Sequence, residues 1–232
     1  MKSVILIILL PCFGLMAMGQ TKLTFQIEWN GQQWHPDSIY QNAAGETLQI
    51  NRLQFYTSQW KYINTSNDTI ACTNAHFLMN ALDASTLSLP FNLPKNVQTI
   101  LFNIGVEKDK NTSGIQTGVL DPALGMFWTW RSGYIMAKLH GVSPNAKTAG
   151  NRFSYEVGGF EPPFDAVRTI ALQLPTSKDP SPQTIIHTNL ALWFNGQHLI
   201  QISQTPICHN AGKLAMLLAD NYATLFSIVN HP

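Results

Sequence analysis

Apolar and polar residues take turns over short stretches of this chain, and that pattern constrains its fold more than anything else. In residues 22–30, Leu23, Phe25, Ile27 and Trp29 share one parity, and Thr24, Gln26 and Glu28 the other. The two-residue period of a strand turns this into one buried and one wetted face. Asn30-Gly31 behind it is a hairpin signal. Apolar, β-branched or aromatic runs recur at 47–63, 69–73, 86–89, 97–106, 134–139, 152–157, 166–174, 184–194 and 198–202. Turn-forming residues separate them, among them Asn64-Thr65-Ser66-Asn67-Asp68, Gly158-Gly159 and an Asn195-Gly196 hairpin between the last two runs. Residues 47–63 suffice for two strands or for one with a bulge. The pattern predicts an all-β fold, an antiparallel β-sandwich. The end of the chain has another period. Leu214, Leu217, Leu218, Tyr222, Leu225 and Phe226 follow a helical repeat. They predict one short C-terminal amphipathic helix over 213–226, with Asn210 as its cap.

The N-terminus has the parts of a signal peptide: Lys2, an apolar run over 4–10, and Ala17-Met18-Gly19 as a small-x-small cleavage site. This predicts a signal peptide at 1–19 and a single domain over 20–232. The apolar run is too short to span a bilayer, and Pro11 before Cys12 fits a lipobox poorly. The exported chain keeps Cys72 and Cys208. An oxidising compartment permits a bridge between them, but spacing does not show that they meet. Charged residues are 12% of the chain and the formal net charge is +1. That is about half the usual charged share and gives no footprint for nucleic acid or an anionic membrane.

The densest aromatic run is Leu120-Asp121-Pro122-Ala123-Leu124-Gly125-Met126-Phe127-Trp128-Thr129-Trp130-Arg131-Ser132-Gly133-Tyr134. Asp121-Pro122 is a turn signal, and a strand from Met126 onward would place Met126, Trp128 and Trp130 on one face. Such a face is either sandwich core or a site where an electron-rich indole sits near a soft metal or is itself modified. No G-x-S-x-G, H-E-x-x-H or Gly-rich phosphate loop is present. Glu107 with Asp109, and Glu161 with Asp165, read as solvated loop charges, so the chain is expected not to be an enzyme. His76, His140, His187, His198 and His209 can converge only through the fold. Met126, Met136, Met216 and the indoles would suit Cu(I), a soft ion.

Three segments carry a resemblance to a known family. They are Phe102-Asn103-Ile104-Gly105-Val106, the block Leu120-Asp121-Pro122 with Gly125-Met126-Phe127-Trp128-Thr129-Trp130 and Ser132-Gly133-Tyr134, and Phe153-Ser154-Tyr155-Glu156-Val157-Gly158-Gly159-Phe160. Together with Phe55-Tyr56-Thr57-Ser58 and the terminal helix, they resemble the MbnP-like copper-binding proteins, exported partners in methanobactin and copper-uptake systems. The resemblance implies a β-rich periplasmic or cell-surface protein that binds copper in its acquisition or homeostasis. It implies that a tryptophan, here Trp128 or Trp130, becomes kynurenine through a partner di-haem peroxidase-like enzyme, with an outer-membrane transporter as a further partner. Two positions depart from the family pattern. Glu156 stands where the family often has histidine, and Asn111-Thr112 where it tends to have Asn-His. Glutamate is a harder ligand than histidine. The candidate metal-proximal set is therefore His76, His140, Glu156 and Met126 around Trp128 or Trp130. The rival expectation is a metal-free envelope binding module whose exposed tryptophans stack on carbohydrate or protein. Exposure of the indoles separates the two, because a stacking indole must be accessible and a metal-proximal one enclosed.

Overall fold

The computed structural model describes residues 21–175 and 183–229, so the expected signal peptide lies outside the described residues. The first strands are β1 (Thr21–Trp29), β2 (Gln32–Gln33), β3 (Tyr40–Gln41), β4 (Thr47–Asn64), β5 (Thr69–Thr73), β6 (Phe77–Asn80), β7 (Ser88–Leu93) and β8 (Val97–Ile104). After helix α1 (Lys108–Thr112) come β9 (Phe127–Thr129), β10 (Gly133–Val142), β11 (Arg152–Gly158), β12 (Phe160–Glu161), β13 (Phe164–Asp165), β14 (Arg168–Gln173) and β15 (Gln183–Asn189). Helix α2 (Leu192–Asn195), β16 (Ile207–Cys208), helix α3 (Lys213–Tyr222) and β17 (Phe226–Ser227) complete the described chain. No helix among the described residues is long and apolar enough to cross a membrane.

One sheet runs β17-β15-β1-β2, with β7 also on β1. The larger sheet runs β14-β8-β4-β10-β11-β16, with β3, β5 and β6 on β4 and β9 on β10. The sheets meet through an aromatic cluster. Phe25 of β1 sets its edge against Phe55, Trp60, Phe102 and Phe226 at centroid distances of 5.6 to 6.2 Å. Trp60 stacks on Phe102 at 4.3 Å. These are the geometries aromatic quadrupoles favour, and they make the expected sandwich core.

β4 is a single strand of 18 residues. Its register with β8 shifts between Ser58 and Lys61, and Gln59 there has a φ of 51°, so the run is one bulged strand. Phe55 pairs with Ala137 of β10 on one edge and Met79 of β6 on the other. Thr57 pairs with Ile104 of β8 and Phe77 of β6. One edge of β4 therefore carries β10 and then β8, while the opposite edge carries β6 and then β5.

Several expectations need correction. β1 pairs β15 in parallel, from Lys22↔Gln183 to Glu28↔Asn189, and β11 pairs β16 in parallel. The sandwich is thus mixed rather than wholly antiparallel, since alternation fixes faces but not strand direction. The run 184–194 is strand only to Asn189, and Leu192–Asn195 is a helical turn that buries Trp193 and Phe194. Residues 198–202 form no strand beyond a bridge at Asn195↔Leu199. Side chains supply the missing ladder. Asn221 accepts from the Gln197 and His198 amides and donates to the Trp193 and His198 carbonyls. Glu46 accepts from the amides of Ile202 and Ser203. α3 stops at Tyr222, and Gly212 rather than Asn210 precedes it without a side-chain cap. Cys72 and Cys208 are free thiols, each pushed up to about 11 by burial.

Candidate functional site

In the β10–β11 ladder, Lys138 stands directly opposite Glu156, and His140 opposite Ser154. The period of two puts these four side chains on one face, while Ala137, Leu139, Tyr155 and Val157 point into the core. Opposite charges directly across a ladder attract. Even so, Lys138 is only 5% exposed, because the aromatic block roofs this outer face. Pro122 and the Asp121 carboxylate, which accepts the Ala123 amide at 2.8 Å, start a tight turn. Gly125 ends that turn at a φ of 73°, a conformation glycine adopts without steric cost. The Gly125 carbonyl accepts from Lys138 Nζ at 2.6 Å. The chain then passes through Met126 into β9, which pairs with β10 at Thr129↔Gly133 and Phe127↔Tyr134.

Trp128 is half-buried and donates from Nε1 to Glu156 Oε2 at 2.8 Å. Its ring lies on the main chain of β11. A Cβ added at Gly158 would come within 2.7 Å of Trp128 Cζ3 and 2.8 Å of the Tyr134 carbonyl oxygen. Glycine at 158 is therefore what lets the indole lie down. The other carboxylate oxygen, Glu156 Oε1, sits 3.1 Å from Lys138 Nζ and 3.3 Å from His140 Nε2. Burial works against ionisation of Glu156, but His140, the indole N–H and the Lys138 ammonium outweigh it and hold the carboxyl down at about 2. His140 Nε2 is buried and lacks the alignment of a hydrogen bond, so it has no hydrogen-bond partner.

This pair of donors has a metal-compatible spacing. Two ligands each about 2.0–2.1 Å from one ion at a tetrahedral angle lie about 3.3 Å apart. An imidazole nitrogen with a carboxylate oxygen fits a borderline ion such as Cu(II) and fits soft Cu(I) poorly. Among the described residues, no group of three or more His, Cys, Asp and Glu gathers to hold a metal, so the donors here are a pair and not a full cage.

The remaining candidates lie elsewhere. His76 places Nε2 2.7 Å from Glu107 Oε2, and Ser58 donates to the other Glu107 oxygen. Glu107 is thus half-buried, not a solvated loop charge. Burial opposes its ionisation, yet His76 and Ser58 keep its carboxyl below the usual range. This second cluster borders a cleft of about 380 Å³ lined by Gln59, Lys61, Asn103 and Thr169 among others. Met126 is fully buried in the core cluster. Trp130 falls in the turn beyond β9, is 58% exposed, and touches Phe127 edge-on at 6.1 Å. Met126, Trp128 and Trp130 therefore share no face, because β9 is only three residues long. Lys138 was not among the sequence candidates. Its one signal was a charged residue at the outward parity within the apolar run 134–139.

The fold and this centre define a class: a mixed β-sandwich that holds one half-buried indole of an aromatic block over a half-buried carboxylate. The family model for MbnP matches residues 18–210, and the chain belongs to the MbnP family. Among solved structures, MbnP from Methylosinus trichosporium superposes with a TM-score of 0.52 over 78% of this chain and 78% of that one, at 13% identity. At that identity the likeness speaks for the fold. No functionally curated protein matches the chain.

Proposed function

We propose that this MbnP-family chain is an exported, non-enzymatic protein of the periplasm or cell surface that takes up copper as cargo at the Trp128 centre, serving copper acquisition or homeostasis. The observation that carries this reading is the half-buried Trp128, held by Glu156 and set beside a buried His140 nitrogen that lies 3.3 Å from Glu156 Oε1 without hydrogen-bond alignment. His140 Nε2 and Glu156 Oε1 are the donors offered to the ion. Trp128 fixes the second carboxylate oxygen, so that Oε1 is the one left facing His140. Of the two tryptophans, Trp128 is the one we assign to kynurenine formation by a di-haem peroxidase-like partner, with an outer-membrane transporter as the cargo's other handler. The second reading, a metal-free binding module, is favoured by Trp130, whose 58% exposure suits stacking on carbohydrate or protein.

Competition titrations of the purified mature chain with Cu(I) and with Cu(II), together with its intact mass from the native host, test the proposal. One-to-one binding that is lost in His140→Ala and kept in His76→Ala is the expected result. No competition in either oxidation state, with an unmodified mass, would leave the metal-free module.

A further inference from the structure

Resting on that reading, we infer that Lys138 is the specificity-determining residue of the centre: its ammonium holds the cation position at Glu156 Oε1 that copper must take. Three observations converge. Lys138 is 5% exposed, and a buried charge stays beside its partner because no solvent replaces it. Its Nζ and His140 Nε2 face the same carboxylate oxygen, at 3.1 and 3.3 Å. A copper ion bridging Glu156 Oε1 and His140 Nε2 would therefore lie within a few ångströms of a fixed positive charge. The third observation is where the ammonium's other bond goes. Lys138 Nζ donates to the Gly125 carbonyl at 2.6 Å, so the same side chain pins the turn that delivers Trp128.

The consequence is exchange rather than addition. An incoming ion displaces the ammonium from Oε1, and the Gly125 carbonyl loses its donor as it does so. Displacing the ammonium costs the same for either ion, but the charge that stays nearby repels a dication about twice as strongly as a monocation at the same distance, so Lys138 discriminates most against Cu(II). The lysine stem is flexible and its ammonium is a point charge without directional demand, which makes the displacement reversible. Loading should also disturb the indole environment, because the turn and Trp128 move with the freed carbonyl.

The experiment compares the wild-type chain with Lys138→Met and Lys138→Gln in chelator-competition titrations with Cu(I) and Cu(II), following tryptophan fluorescence in parallel. Gln keeps an N–H donor, one bond shorter, on an uncharged side chain, so it serves if the Met variant does not fold. The expected result is at least tenfold tighter binding in the neutral variants, larger for Cu(II), with a fluorescence change on loading. Equal or weaker binding in a neutral variant that folds overturns the role of Lys138 and leaves the copper reading intact. Binding by the neutral variants alone supports the role of Lys138 and overturns copper uptake by the natural chain. Binding by none of the three overturns both.

Discussion

Glu46 and Glu156 are both carboxylates held largely out of water, yet their surroundings differ in kind. Glu46 is 4% exposed and accepts from the Ile202 amide at 2.7 Å, the Ser203 amide at 2.8 Å and the Asn42 side chain at 2.8 Å. Its donors are neutral, and two of them belong to the backbone. Glu156 meets an ammonium, an indole and an imidazole, and the imidazole contact is misaligned. Glu46 closes a loop and leaves nothing over. Glu156 leaves a nitrogen in misaligned contact and a cation beside it. Burial alone therefore does not mark a working carboxylate; the partners do.

The largest expected effect falls on the structural member. Glu46→Ala strands two backbone amides and should cost about 4 kcal/mol in urea unfolding, at roughly 1–3 kcal/mol per orphaned group. A loss below about 1 kcal/mol would show that the 201–203 loop is held by other contacts and would break the contrast. Glu156→Ala leaves Lys138 buried without a counter-charge and should cost about 3 kcal/mol. Adding Lys138→Met to it should recover most of that loss, because removing both members of a buried pair can be nearly neutral. No second substitution can do the same for Glu46, which serves two main-chain amides as well as Asn42, so failure of the double variant to recover would make the two sites alike.

Acid sharpens the comparison next. The Glu46, Glu107 and Glu156 carboxyls are all lowered in the folded chain. A lowered carboxyl contributes stability that is present above its unfolded value and lost as pH falls through its folded value. For Glu156 that window runs from 4.5 down to about 2. Thermal unfolding of Glu156→Gln should therefore depend less on pH across it than the wild type. The smallest effect is expected from Trp128→Phe, which gives up one hydrogen bond to a charged carboxylate for about 2 kcal/mol. It should also identify the share of fluorescence emission that responds to Glu156→Gln.

Much of the architecture is legible from local alternation. Leu23, Phe25 and Ile27 announce an inner face, and the structure buries all three. The parallel partner of β1 is not legible, because β15 lies far along the chain and no local pattern encodes direction. The failed strand at 198–202 has a similar cause: Asn221 and Glu46 satisfy its backbone from a distance. In the centre, Trp128, Glu156 and His140 stand in or beside recognisable segments, but their meeting depends on the β10–β11 register and on a roof formed by the turn at Gly125. His76 shares the imidazole chemistry of His140. The topology instead seats it beside β6, on the other edge of β4.

That placement has a kinetic consequence. Phe55 and Thr57 each pair with strands on both edges of β4, so a paired strand covers their amides whichever edge these face. The Trp128 centre leans on one edge through β10, and the His76–Glu107 pair spans both edges through β6 and the end of β8. In hydrogen–deuterium exchange, the middle of β4 should be the slowest part of the molecule. A bound ion that slows exchange at Lys138 should slow the Phe55 amide as well if that amide faces β10, because Phe55 pairs with Ala137, the neighbour of Lys138, in the β4–β10 ladder.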